Sequence, residues 1–169
     1  MQRNVGSRVR KMRFAFALTA VAAQRTINDI VGWDAIFRVA VKGGEATFTV
    51  RVHPEWAPIG AARFEEMVDK KVLEDARFFR VVEDFIVQFG IPGDPKEAKA
   101  WSKKNIMDDP VKGSNTPGTV TFATAGPNTR TTQIFINYGN NKFLDSQGFA
   151  PFAKAHCAGV LFVNENASE

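Results

Sequence analysis

The sequence predicts a mainly β domain, an antiparallel β-barrel or sandwich. Three observations support this: many short runs with β-strand alternation, turn signals between these runs, and a single amphipathic helix pattern. A chain of 169 residues with 44% hydrophobic and 24% charged residues is long enough for one domain with a real core. The 15 Phe, against one Tyr and 3 Trp, indicate that this core is rich in Phe rings.

Residues 1–28 form a leader whose composition differs from that of the rest of the chain. They contain six basic residues and no acidic one, an apolar run from Phe14 to Ala23, and the small residues Ala20-Val21-Ala22. This order is typical of a secretory signal peptide, and ten apolar residues are too few to span a bilayer. We therefore expect the secretory pathway after removal of the signal peptide. An organelle transit peptide, or a cytoplasmic chain with an untargeted tail, is the alternative.

The residues after the leader exclude several classes of function. They carry 16 basic against 18 acidic residues, a net charge of −2, so they lack the basic surface of a nucleic-acid-binding protein. Cys157 is the single cysteine, and the two histidines, His53 and His156, are far apart in sequence. Neither a disulfide nor a Cys/His metal site is expected from these residues. Phosphate-loop, nucleophile-elbow and zinc-protease motifs are also absent, so no cofactor is expected.

The first predicted elements are a hairpin and a helix. Residues 35–41 and 46–52 alternate in strand fashion on either side of Lys42-Gly43-Gly44, which predicts a β-hairpin. Pro58 then stands where a first helical turn tolerates proline. Apolar residues follow at helical spacing, at Ala61, Phe64, Val68 and Val72. This pattern predicts an amphipathic helix packed on the sheet.

Further strands are predicted later in the chain, at Arg77–Val82, Phe85–Gly90, Thr119–Thr124 and Gln133–Asn137. Between the last two, Ala125 to Asn128 supplies the Gly, Pro and Asn of a tight turn. Residues 91–117 are expected to be a long irregular loop, and such loops are usually functional.

Three polar residues interrupt the apolar strand pattern. These are Arg80, Gln88 and Gln133, at positions where an unpaired polar group would be costly to bury. Such polar insertions suggest a binding surface. From spacing alone, however, an arginine at such a position in a strand more often faces solvent than belongs to a binding site, and this interpretation is favoured for Arg80.

Three segments occur in a distinctive order and spacing: FFRVVEDFIVQFGIPGD (Phe78–Asp94), TPGTVTFATAGPNTRTTQIFIN (Thr116–Asn137) and FLDSQGFAPFAK (Phe143–Lys154). Together they resemble the cyclophilin family of peptidyl-prolyl cis-trans isomerases, over residues 33–154. The resemblance implies a closed antiparallel β-barrel with one helix in its N-terminal half. It also implies a monomer that acts without a cofactor on X-Pro bonds of proline-containing peptides and unfolded proteins, and that binds no nucleic acid and spans no membrane.

The resemblance implies a role for each of eleven residues. Rotation about an X-Pro bond needs no nucleophile, because its barrier of about 20 kcal/mol comes from amide resonance. Arg80 would stabilise the lone pair that the prolyl nitrogen regains in the twisted amide, and Gln88 would hold Arg80. The implied substrate-binding residues are Phe85, Ile86, Phe135 and Leu144 in a proline pocket, Ala123, Thr124 and Gln133 along the groove, and Phe143 and Phe149 at the pocket wall. Phe122 could belong to the pocket or to the core, and the core is favoured.

Two features depart from the family. Phe143 and Phe149 stand where the family commonly has Trp and His, so the pocket wall becomes more apolar. Residues 155–169 (AHCAGVLFVNENASE) form an atypical C-terminal tail that resembles neither the last strand nor the C-terminal helix of the family, so that helix is expected to be missing. Two alternatives therefore remain: a catalytically weak module that binds proline peptides, and a barrel that encloses a small apolar ligand.

Overall fold

The structure, a computed structural model, describes residues 18–24, 32–41 and 44–157. The strands in these residues are β1 (Leu18–Gln24), β2 (Asp34–Val41), β3 (Gly44–Val52), β4 (Arg80–Val82), β5 (Ile86–Phe89), β6 (Thr119–Phe122), β7 (Ile134–Asn137) and β8 (Pro151–Cys157). The helices are α1 (Pro58–Asp69), α2 (Pro95–Trp101) and a 3-10 helix (Lys142–Gln147). No helix among the described residues has the length and apolar composition needed to cross a membrane.

The eight strands form one antiparallel sheet in the order β1-β2-β3-β8-β6-β7-β5-β4. The sheet curls but stays open, because its end strands β1 and β4 each pair with a single described neighbour. The closed barrel implied by the resemblance is therefore wrong for the described residues. Strand β4 has only three residues. It therefore offers few backbone N–H and C=O groups to a further strand that would close the sheet into a barrel.

The predicted hairpin and first helix are both confirmed. Strands β2 and β3 pair antiparallel from Asp34 with Arg51 to Val41 with Gly44, and the rings of Phe37 and Phe48 stack across them with centroids 4.8 Å apart. Helix α1 begins at Pro58 and packs Phe64 and Met67 into the core, where both side chains are fully buried. Amphipathic spacing thus places one face of α1 against the sheet.

A buried carboxylate holds the start of α1. The residue before the helix makes no side-chain cap, and the carboxylate of Asp109 instead accepts hydrogen bonds from the backbone N–H groups of Ile59 (2.9 Å) and Gly60 (2.8 Å). Arg130 lies on the other side of this carboxylate, with its Nη1 3.0 Å from Asp109 Oδ2. Both side chains are buried, so a charge pair joins α1 to the loop before β7.

The prediction of a single helix and of an entirely irregular segment 91–117 is wrong, because α2 lies within that segment. Asp94 caps α2 by accepting a hydrogen bond of 2.7 Å from the backbone N–H of Lys96, and Pro95 occupies the first turn. Seven residues are too few for a helical period to be recognised in the sequence. The Asp-Pro start signal was nevertheless present.

The two ends of the chain are described only in part. Strand β1 contains part of the apolar run of the leader and pairs with β2, for example Val21 with Ile36. Strand β8 continues to Cys157, past the predicted domain boundary at residue 154. The cationic start of the leader and residues 158–169 lie outside the described residues, as does the expectation that a C-terminal helix is missing.

The core between the sheet and α1 is rich in phenylalanine, as the composition predicts. Its buried phenylalanine rings are Phe37, Phe48, Phe64, Phe89, Phe122 and Phe152, each at most 4% exposed. The ring of Phe122 lies tilted against that of Phe152, with centroids 4.9 Å apart, so Phe122 belongs to the core. Among the described residues, the core is therefore built largely from packed aromatic rings.

Candidate active site

A second apolar cluster lies apart from the main core. Its buried members are Ile86, Phe135 and Leu144, which are 3%, 3% and 6% exposed. Phe85, Ala123 and Phe149 pack against them while keeping part of their surface exposed. All six were predicted to form the pocket or line its groove, and the structure brings them together.

Strand alternation separates this cluster from the core. Successive side chains of β5 point to opposite faces of the sheet, so Ile86 and Gln88 share one face while Val87 and Phe89 pack into the core. On β7, Phe135 pairs with Gln88 and therefore faces the cluster. Strands β5 and β7 thus contribute side chains to the main core on one face and to the second apolar cluster on the other.

A chain of polar side chains runs beside the cluster. Arg80 donates from Nη1 to Gln88 Oε1 at 3.3 Å, and Gln88 donates from Nε2 to Gln133 Oε1 at 3.0 Å. The register of β4 and β5 places Arg80 directly opposite Gln88. We call Arg80, Gln88 and Gln133 the polar relay. It explains how Gln88, only 8% exposed, satisfies its amide among apolar neighbours.

The guanidinium of Arg80 is presented to solvent at the edge of the pocket. Its Cζ lies 5.8 Å from the centre of the Phe85 ring, a cation–π contact. Arg80 itself is exposed, so its cation is accessible from solvent. The arrangement combines an apolar cluster with one oriented positive charge beside it.

The backbone of Phe85 is held firmly in the loop between β4 and β5. Its carbonyl accepts hydrogen bonds from the N–H groups of Tyr138 (2.8 Å) and Gly139 (3.2 Å), and from Asn141 Nδ2 (2.8 Å). A Cβ at Gly139 would lie 1.9 Å from the carbonyl oxygen of Asp84, so only glycine fits there. No local signal in the sequence marks these contacts, because an Asn- and Gly-containing segment is typical of any turn.

Two further rings extend the wall of the pocket. Phe143 stacks on Phe85 with centroids 6.0 Å apart and an interplanar angle of 17°, and it is 56% exposed. Phe149 meets Phe135 edge to face at 5.9 Å. These rings give the pocket mouth an apolar, aromatic lining.

The loop after β6 has the predicted turn chemistry. Gly126 and Asn128 both adopt positive φ angles, 138° and 56°. The Thr124 hydroxyl bonds within this loop, to the carbonyl of Gly126 and to Thr129 Oγ1. Two predicted site residues, Thr124 and Phe143, thus belong to neither the cluster nor the polar relay, although Phe143 stacks on Phe85.

A partly buried carboxylate, that of Asp145, fixes the 3-10 helix that carries Phe143 and Leu144. Asp145 accepts hydrogen bonds from Ser114 Oγ at 2.5 Å and from the backbone N–H of Asn115 at 2.9 Å. Burial raises the pKa of Asp145, but these hydrogen bonds outweigh it, so the pKa lies below its ordinary value. The described residues contain no group of three or more His, Cys, Asp or Glu side chains able to hold a metal.

Comparisons with known proteins agree with this geometry. Residues 36–163 match the family model described as cyclophilin type peptidyl-prolyl cis-trans isomerase/CLD. A peptidyl-prolyl cis-trans isomerase of Acinetobacter baylyi is 32% identical over 123 residues, which cover 69% of this chain and 64% of that protein. Peptidyl-prolyl cis-trans isomerase 9 of Schizosaccharomyces pombe is 28% identical over 144 residues, 83% of this chain but 23% of that protein. This chain therefore spans less than two thirds of the length of either relative.

A solved structure supports the fold. The cyclophilin type peptidyl-prolyl cis-trans isomerase of Cryptosporidium parvum matches with a TM-score of 0.57 and 20% identity, over 74% of this chain and 78% of that one. Since the family match covers most of the chain and includes β2 to β8, with both the pocket and the polar relay, this chain belongs to the cyclophilin-type peptidyl-prolyl cis-trans isomerase family.

Proposed function

We propose that this chain accelerates cis-trans rotation about X-Pro bonds in peptides and unfolded proteins, without a cofactor. The observation that carries the proposal is the position of Arg80, whose guanidinium is oriented by Gln88 at the edge of a separate apolar pocket. Family membership supports the same activity. A pyrrolidine ring is apolar and compact, and suits a pocket lined by Ile86, Phe135 and Leu144.

The chemistry requires only selective stabilisation of the twisted amide. Rotation breaks amide resonance and returns a lone pair to the prolyl nitrogen, which then accepts a hydrogen bond that the planar amide cannot accept. A guanidinium held in position acts on this state more strongly than on the ground state, so it lowers the barrier. Gln133 holds Gln88, Gln88 holds Arg80, and the apolar pocket fixes the ring of the substrate.

Substitution of Arg80 tests the proposal. We expect Arg80→Ala to lower kcat/KM on an X-Pro peptide by about 100-fold, as loss of an oriented donor does elsewhere, with the peptide Kd changed by less than about threefold. Arg80→Lys keeps the charge but loses the planar fork, so we expect an intermediate rate. Arg77→Ala is the matched control, because Arg77 is exposed three residues earlier on the same segment. Equal rates for Arg80→Ala and the unaltered chain would refute the assigned role.

A binding module is the second candidate, and one observation favours it. The Arg80–Gln88 hydrogen bond is 3.3 Å long and its donor is exposed, so the guanidinium is less tightly fixed than a buried one would be. NMR exchange spectroscopy on an X-Pro peptide separates the two candidates. A binding module would shift the peptide signals without raising the exchange rate, whereas an isomerase raises that rate.

For the ends of the chain we propose that residues 1–28 direct export. We propose also that the isomerase domain is a monomer that begins at residue 33 and includes all of β8, to Cys157. The Arg-rich start and apolar run support export. Fusing residues 1–28 to a reporter enzyme tests this, with secretion and cleavage near Ala22 as the expected result. Uptake into an organelle, or retention in the cytoplasm, would replace the proposal with one of its alternatives.

A further inference from the structure

Asn115 lies in the segment between α2 and β6 and is fully buried. It belongs neither to the polar relay nor to the apolar cluster. We propose that Asn115 is a positioning residue that sets the width of the pocket and, through that width, its preference for a five-membered proline ring. The proposal rests on the proposed function, because it concerns the ring bound in that same pocket.

One side of Asn115 holds the wall formed by the 3-10 helix. Its backbone N–H and its Nδ2 both donate to Asp145 Oδ1, at 2.9 and 2.7 Å. Nδ2 also donates to the carbonyl of Phe149 at 2.8 Å. Asp145 directly follows Leu144, so these bonds fix two residues of the apolar cluster, Leu144 and Phe149.

The other side of Asn115 holds the strands opposite that wall. Its Oδ1 accepts from Thr121 Oγ1 at 2.8 Å and from Asn137 Nδ2 at 3.2 Å. Thr121 pairs with Phe135 across β6 and β7, and Asn137 pairs with Ile86 across β5 and β7. The acceptor atom of Asn115 is therefore joined to β6 and β7. Strand β7 carries Phe135 of the apolar cluster and pairs with β5, which carries Ile86.

A third connection reaches the loop of Phe85. The carbonyl of Asn115 accepts from the N–H of Asn141 at 2.8 Å, and Asn141 Nδ2 donates to the carbonyl of Phe85 at 2.8 Å. One buried residue thus links the 3-10 helix, the strands and the β4–β5 loop, the three parts of the chain that surround the pocket.

The chemistry of the amide makes this role hard to replace. An Asn side chain offers donors and an acceptor on the same rigid group, and here it uses both, toward opposite walls. Alanine offers neither, so the buried hydroxyl of Thr121 and the carbonyl of Phe149 would lose the bonds that the side chain of Asn115 gives them. The spacing of the walls would then no longer be fixed by a single side chain.

The size of the substrate ring that the pocket prefers reports the width of the pocket. A change in the stability of the fold alone does not alter this preference. A pipecolyl peptide carries a six-membered ring, one methylene larger than proline, and tight apolar pockets discriminate one methylene by about 10-fold or more. We expect the ratio of kcat/KM for X-Pro over X-pipecolyl peptides to fall at least about threefold in Asn115→Ala, measured on the full chain. Thr121→Val, which removes one donor to Asn115 and keeps its shape, should lower the ratio less.

Val50→Ala is the matched control, since Val50 is fully buried in the core on β3, away from the pocket. It should lower the urea midpoint and leave the ratio unchanged. Equal ratios in all the variants, with midpoints lowered alike, would show that Asn115 only stabilises the fold and would overturn the inference. If the unaltered chain does not isomerise either peptide, the proposed function fails. The ratio of the two peptide Kd values, measured by NMR, then decides whether Asn115 sets the pocket width.

Discussion

The buried pair of Arg130 and Asp109 gives the most quantitative prediction. Arg130 contacts Asp109 Oδ2 at 3.0 Å and Asp108 Oδ1 at 3.1 Å, and also donates to the carbonyl of Met107. Arg130→Met would keep much of the apolar stem but remove the cation. The carboxylate of Asp109, whose side chain is fully buried, would keep only two backbone N–H donors at the start of α1.

Removing one partner of a buried pair costs about 3–5 kcal/mol, because the other charge stays buried and unpaired. Because two N–H donors still bind the Asp109 carboxylate, we expect Arg130→Met to lower the free energy of unfolding by about 3 kcal/mol, the lower end of this range. With a urea m-value of about 2 kcal/mol per molar, the unfolding midpoint should fall by about 1.5 M. Against a total stability of about 5–15 kcal/mol, such a loss is readily measured by circular dichroism during urea titration.

The exposed pair of Arg51 and Asp34 provides the matched control. Its atoms are 3.3 Å apart, but the two side chains are 35% and 50% exposed. Arg51→Met should therefore cost less than about 1 kcal/mol. The double variant Arg130→Met with Asp109→Asn should recover part of the loss, because the amide oxygen still accepts one of the two N–H bonds and no charge stays buried. Equal midpoint shifts for Arg130→Met and Arg51→Met would refute the reasoning.

Three further predictions concern the pocket and its support. Gly139→Ala must displace the carbonyl of Asp84, so we expect peptide Kd to rise at least about tenfold by titration, whereas Gly113→Ala, with only ordinary contacts, should leave it unchanged. The lowered pKa of Asp145 stabilises the fold above its unfolded-state value of about 3.9, and this contribution is lost as the pH falls further. The urea midpoint should accordingly fall more steeply below pH 4 in the unaltered chain than in Asp145→Asn, and parallel curves would contradict this. Phe143 is 56% exposed, so its ring can stack on an aromatic side chain of the peptide, a contact worth about 0.5–1.5 kcal/mol. In Phe143→Ala the peptide Kd should therefore rise about 2- to 13-fold by fluorescence titration, and an unchanged Kd would exclude the ring from binding.

Much of the fold could be predicted because its signals are local. The β2–β3 hairpin has strand alternation about a Gly-containing turn, and α1 has Pro58 at its start and apolar residues at helical spacing. The apolar cluster could be predicted only from the family resemblance. Spacing alone favours the core for any single residue such as Ile86 or Phe135.

The remaining features depend on contacts between distant residues. Asn115 meets Asp145 and Asn137 across 30 and 22 positions, and Arg130 meets Asp109 across 21. In sequence these are ordinary polar residues in loops or at strand ends, and nothing local marks them as buried. Closure of the sheet likewise depends on whether its end strands, β1 and β4, pair with each other. The alternation of apolar and polar residues within short strands does not determine that pairing.

The placement of two apolar clusters on opposite faces of shared strands has an evolutionary consequence. The rings at the pocket mouth, Phe143 and Phe149, contact the recognition surface and contribute little to the interior that keeps the chain folded. Under the proposed function, exchanges among such rings can alter which residues beside proline are preferred, at a small cost in fold stability. Substrate preference can then diversify at these two positions while selection preserves the interior.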